Sequence, residues 1–165
     1  MKQEKKFFFV TTNLEEVLQR YKLYLEFEDE EDDVDNDYQI LTYTTKFQFF
    51  NSLSLALENS IDGTTIFIEQ NIYNEPIIIS KNIQLIGVPK GCDVFRKDVQ
   101  NLIFHPKNSG IVIFHYDGSI PILTINSDCK ITNFSFISYS KNNQSSIVKV
   151  LSGNSSFIGC KFHML

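Results

Sequence analysis

The chain has no tryptophan, four prolines and three cysteines in 165 residues, and Arg20 and Arg96 are its only arginines. The shortage of arginine leaves just those two side chains for gripping an anion with a planar, two-point fork. Cys92, Cys129 and Cys160 are odd in number and show no Cys-x-x-Cys spacing, which argues against a disulfide framework and a zinc site of closely paired ligands. No run approaches the ~18 apolar residues of a membrane span. After Lys5-Lys6 only Phe7 to Val10 are apolar, short of the roughly 7–15 residues of a secretory core. These absences predict a soluble, intracellular (cytoplasmic) protein of a reducing compartment, with no membrane span. The sequons at Asn133, Asn143 and Asn154 would then be chance products of an Asn- and Ser-rich chain.

What is present is hydrophobic: 42% of the residues, fifteen of them phenylalanine, enough for a globular core. The net charge of −5 is uneven, because residues 26–37 hold nine of the twenty acidic groups and no basic one. The remainder carries 11 acidic against 15 basic groups, a net of +4. That surplus is too small and too scattered to predict a nucleic-acid partner.

Residues 13–25 carry a helix signature. Asn13 is a good N-cap, Glu16 stands at the capping-box position, and Leu14, Val17, Leu18, Tyr21 and Leu25 share one face. This helix is expected to pack over one end of the body. The acidic block follows as a solvated linker. Asp33, Asp35 and Asp37 imitate half of a calcium loop, but Tyr38 replaces the turn glycine and Thr44 the bidentate glutamate, so no metal is expected. Residues 38–50 read as extended, and Asn51 or Ser52 caps a short helix that buries Leu53, Ala56, Leu57 and Ser60. The expected organisation is residues 1–45 as helix, acidic linker and extended segment, and 46–165 as one β domain.

From Thr64 onward the chain is a series of short apolar strands broken by Gly, Asn, Ser, Asp or Pro. Ile66 to Ile68, Ile77 to Ile79 and Ile83 to Ile86 follow one another too closely for the helical crossover of a βαβ unit. Ile131-Thr-Asn-Phe-Ser-Phe136 aligns with Phe157-Ile-Gly-Cys-Lys-Phe162 at an offset of 26, and Leu123-Thr-Ile125 with Val148-Lys-Val150 at 25. This texture predicts a mainly β, right-handed parallel β-helix (a solenoid) with an N-terminal α-helical cap, and an antiparallel β-sandwich as runner-up. Two longer turns, Gly87 to Leu102 and Tyr139 to Ser146, are candidate binding loops by position alone.

The run Phe50-Asn-Ser-Leu-Ser-Leu-Ala-Leu-Glu-Asn-Ser-Ile-Asp-Gly-Thr-Thr-Ile-Phe-Ile68, with Tyr73-Asn-Glu-Pro76 and Lys81-Asn-Ile-Gln-Leu-Ile-Gly87, resembles the opening of pectin-lyase-like β-helix proteins. Cys129 to Phe136 and Phe157 to Phe162 look like that superfamily's recurring coil. The resemblance spans about residues 46–165. It is nearest to the carbohydrate-binding and sugar-hydrolase repeat group, which includes the β-helix regions of F-box proteins and the SHC SH2-domain-binding protein. It implies a fold and leaves activity open. The catalytic patterns of the enzymatic relatives are not found. His105, His115 and His163 have no flanking glycines. After Glu75 the acids are Asp93, Asp98, Asp117 and Asp128, none of them separated by the 25 or 26 residues of the repeat. No catalytic residue, metal or cofactor is therefore assigned, and the binding residues stay open.

Cys129 and Cys160 are expected to point into the core. The last residues, Lys161-Phe-His-Met-Leu165, lie in a strand with no cap after it, so truncation, a partner or self-association through this open end is expected. The functional expectation is a non-catalytic binding or scaffold module that recognises a protein or glycan along one face. The alternative is a polysaccharide-active enzyme, or a piece of one whose catalytic residues lie outside this chain.

Overall fold

A computed structural model of the chain describes residues 6–28, 47–95, 110–116, 120–139 and 146–165. The calcium-loop imitation at residues 33–44, most of the acidic block, Arg96, His105, Asp98, Asp117 and the turn interior 140–145 lie outside these. The elements are β1 (Phe7–Val10), α1 (Leu14–Glu28), β2 (Phe47–Phe50), α2 (Leu53–Asn59), β3 (Thr65–Glu69), β4 (Ile72–Tyr73), β5 (Ile77–Ile79) and β6 (Ile83–Val88). They continue with β7 (Val112–Tyr116), β8 (Leu123–Ile125), β9 (Cys129–Thr132), β10 (Phe134–Ser138), β11 (Val148–Val150), β12 (Ser155–Ile158) and β13 (Lys161–Met164).

These strands correct both fold expectations. Every pairing is parallel, which removes the antiparallel sandwich. They lie in three separate open sheets, ordered β12-β9-β6-β3-β1-β2, β13-β10-β7-β4 and β11-β8-β5. None of the three closes, and together they do not amount to the single β-helix solenoid expected from the sequence. The physical reason is uneven layering. Thr65 lies opposite Gln84, 19 residues on, whereas Ile83 lies opposite Cys129, 46 residues on. Two strands, β1 and β2, extend the six-stranded sheet without counterparts in the other two. The offset of 26 holds only at the end, where Ile131 faces Phe157 and Phe136 faces Phe162.

The three sheets enclose one core. Phe8, Ile66, Leu85 and Ile131 come from the six-stranded sheet, Tyr73, Phe114 and Phe136 from the second, and Ile79, Leu123 and Ile125 from the third. Tyr73, Phe114, Phe136 and Phe162 are in register across the four-stranded sheet, and their rings stack with centroids 5.2, 5.8 and 5.4 Å apart. Burial of these side chains is the main stabilising term, about 1.5–3 kcal/mol for each large apolar group fully removed from water. Helix α2 covers this core at the β1–β2 end, burying Leu53 and Ala56. Ser52 caps its start by accepting from the Leu55 N–H, and the Lys81 ammonium donates to the carbonyls of Leu57, Glu58 and Ser60 at its end. A cation there satisfies carbonyls that have no partner within the helix.

Part of the outer face of the six-stranded sheet is buried as well, as faces of parallel sheets generally are. A second cluster there joins Phe9, Phe47, Phe67 and Ile86 to Val17 of α1 and to Val94 and Phe95. Helix α1 thus lies along a sheet face. Tyr24 takes the contact with Phe95, at 5.4 Å, and leaves Leu25 43% exposed. Asn13 does precede the helix, but its side-chain amide donates to Glu16, while its backbone N–H goes to Thr11 Oγ1. Strand β1, which the sequence reading did not find, is bonded between β2 and β3 and shares the core of residues 46–165.

Candidate functional site

The two long turns differ from expectation where they are described. Residues 89–95 are built into the fold. The Gly91 N–H donates to Glu69 Oε2, whose other oxygen accepts from Thr11 Oγ1, and this carboxylate is buried. Arg20 spends its guanidinium on Asp93 and Glu16, both at 2.8 Å, so it is not free for an external anion. Cys92 sits at the edge of the same cluster, and burial, helped by Asp93 and Glu69, pushes its thiol up to about 11. At the second turn, Tyr139 meets His115 edge to face at 4.4 Å.

The remaining candidates do not converge. His115 and His163 lie in one row of the four-stranded sheet with Ile137 between them. Among the described residues no three of His, Cys, Asp and Glu gather as metal ligands. Cys129 is buried as expected, and burial beside Asp128 raises its thiol to about 11. Cys160 is only half-buried, and its Sγ–H lies 3.5 Å from the Ile131 carbonyl. A protonated, sheltered thiol is a poor nucleophile. Among the described residues no helix is long and apolar enough to cross a membrane.

A groove of about 450 Å³ opens instead on the outer face of the six-stranded sheet, beside the strand starts. Its floor is a row in register, Thr65 on β3, Gln84 on β6 and Lys130 on β9, which continues to Ser156 on β12. Neighbouring strands stand about 4.8 Å apart, so the row offers one polar group per layer at that spacing. Asn82, Asp128 and Asn154, each one residue ahead of a strand, form the wall. They are held by a repeated bond. The Asn82 N–H donates to Asp62 at 2.8 Å and the Asn154 N–H to Asp128 at 2.7 Å. Both carboxylates therefore have structural work, and each retains an oxygen that can accept. The side chains of Gln84 and Lys130 have no partner among the described residues, which leaves an amide and an ammonium facing the groove.

The sequence reading assigned no binding role to these groove residues: Asn154 was noted only as a sequon and Asp128 only among the scattered acids. A signal existed in the Asn or Asp placed just before β6, β9 and β12, but uneven layer lengths hid it. No family model matches the chain, and no curated protein or solved structure is similar to it.

Proposed function

We propose that the chain is a non-catalytic binding module that holds an extended, hydroxyl-rich chain, a linear glycan, in the groove over Thr65, Gln84 and Lys130. The carrying observation is that row of unengaged polar groups, repeated layer by layer on a rigid sheet. Protein interfaces centre on large aromatic anchors, and no aromatic side chain lines this groove. A sugar chain instead asks for closely spaced donors and acceptors, which the Thr hydroxyl, Gln amide, Lys ammonium and Asn side chains provide. Catalysis is not part of the reading. Glycoside hydrolysis uses two carboxyl groups across one bond, and Asp128 is the one carboxylate among the residues lining the groove.

Calorimetric titration with short linear glucan, xylan and galacturonan oligosaccharides tests it. One of the three should bind, and Gln84→Ala and Lys130→Ala should each weaken it about tenfold, the ~1.4 kcal/mol of one lost polar contact. Melting should be unchanged, because both side chains lie outside the core. No binding by any of them, or binding indifferent to both substitutions, overturns the proposal.

A further inference from the structure

Two rows of polar side chains face the groove, not one. Asn82, Asp128 and Asn154 are exposed and stand two residues before Gln84, Lys130 and Ser156, so both rows point outward from the same strands. Two residues of strand put the rows about 6.6 Å apart. The position between them carries no outward side chain: Thr64 is buried there, and Ile83 and Cys129 belong to the core. The groove is therefore a level strip of backbone with a polar row along each edge, and it crosses the strands at about 4.8 Å per layer. Gly63 holds the matching place before Thr65, and the open space beside it leaves that end of the strip unobstructed.

The chemistry of the rows restricts the occupant. The side-chain amides of Asn82 and Asn154, like that of Gln84, have no partner among the described residues. An amide donates and accepts, so it can meet a hydroxyl in either role. Lys130 only donates and Asp128 only accepts, and they stand on opposite rows of the β9 layer. One charge offsets the other, so a chain with a carboxylate on every sugar gains nothing over a neutral one. Shape restricts it further. Straight rows at constant spacing need a chain that stays straight and advances one layer per sugar. A β-1,4-linked pyranose chain is a flat ribbon whose rings advance by about the ~4.8 Å spacing of strands. Its alternate rings face opposite ways, which puts hydroxyls along both edges. An α-1,4-linked chain curls and leaves the strip after a ring or two.

On the premise that the groove holds a glycan, we propose that its occupant is a neutral, flat β-1,4-linked chain lying across the strands. One sugar sits over each of the layers β3, β6 and β9, and the two edges of the ribbon meet the two rows. The ring faces rest on the backbone strip between them.

Calorimetry on the 165-residue chain tests it, with cello- and xylo-oligosaccharides of increasing length set against malto- and galacturono-oligosaccharides of the same lengths. Affinity for one of the β-1,4 series should climb to the trisaccharide and then change by less than about fivefold, with the α-linked and acidic chains about tenfold weaker or worse. Asn82→Ala, on the row away from Gln84, should weaken the β-linked chain about tenfold, as Gln84→Ala does, with unchanged melting. Malto- or galacturono-oligosaccharides that bind as tightly as the β-linked chains overturn this assignment while the glycan site itself stands. So does a monosaccharide that binds as tightly as the trisaccharide, or an affinity indifferent to Asn82→Ala, which would put the chain on one row only. If none of the four series binds, the glycan reading fails and this assignment fails with it.

Discussion

Asn133 and Gly87 hold each other from both sides. The Asn133 side-chain amide donates to the Gly87 carbonyl at 3.2 Å, and the Asn133 carbonyl oxygen stands 2.8 Å from where a β-carbon on residue 87 would lie. The Val112 side chain would be met at 2.9 Å. Neither a backbone oxygen nor a buried valine can swing away, so the close approach of adjacent layers demands glycine. Gly87→Ala should therefore lower stability by about 1–3 kcal/mol, the usual range for overpacking. Urea unfolding measures this, and a loss well under that range would mean the layers can separate locally.

Thr132 gives a prediction of opposite sign. It lies between Ile86 and Ile158 on the outer face of the six-stranded sheet, and its buried hydroxyl has no hydrogen-bond partner among the described residues. A stranded hydroxyl carries a desolvation penalty of about 1–3 kcal/mol. Thr132→Val keeps the branched shape and removes the polar atom. The variant should be more stable by about 1 kcal/mol in the same urea experiment. A less stable variant would show that a bound water or another group satisfies the hydroxyl in solution.

Alkaline pH should destabilise the protein in a defined window. Burial is the first cause of the raised values of Cys92 and Cys129, about 11 against an ordinary 9.0. The unfolded chain thus loses these protons first. Stability from this source is complete below pH 9 and is lost as pH rises through about 11. Burial, with the charges of Glu69 and Glu75, also raises Tyr73, so its loss begins above its ordinary 10.0 and deepens the same decline. Unfolding free energies at stepped pH should be level to about 9 and then fall, and a thiol reagent should react slowly with the native protein at pH 8. A level profile through pH 11 would contradict the burial of these groups.

Legibility in the sequence followed distance along the chain. The alignment of Ile131 with Phe157 was readable because two adjacent layers repeat there without insertions. Helix α2 was readable from Ser52 and the spacing of Leu53 and Ala56. Strand β1 was not. Its four residues become a strand by pairing with β2 and β3, 40 and 58 positions away, and nothing local announces that. Val94 and Phe95 fell within the turn from Gly87 to Leu102, a candidate binding loop by position, and their burial depends on α1, which lies some seventy positions earlier. The single solenoid was an over-extension of the regular final layers to a chain whose earlier layers differ in length. The groove was missed for a related reason: its residues are ordinary polar side chains, and they become a row only once register is known.

The corner between β9 and β10 is one residue wide. Asn133 takes it with φ +68°, and Gly159 takes the matching place one layer on with φ +60°. Between β10 and β11, by contrast, nine residues intervene. One added amino acid at position 133 would act on the pleat as a frameshift acts on a message. It would exchange the inward and outward sets of β10, turning Phe134 and Phe136 away from the core and Ser135 into it. The long connection can absorb a grafted peptide without any such inversion. The molecule therefore has a grammar of permitted edits, in which one corner keeps the reading frame and the other is free to carry new text.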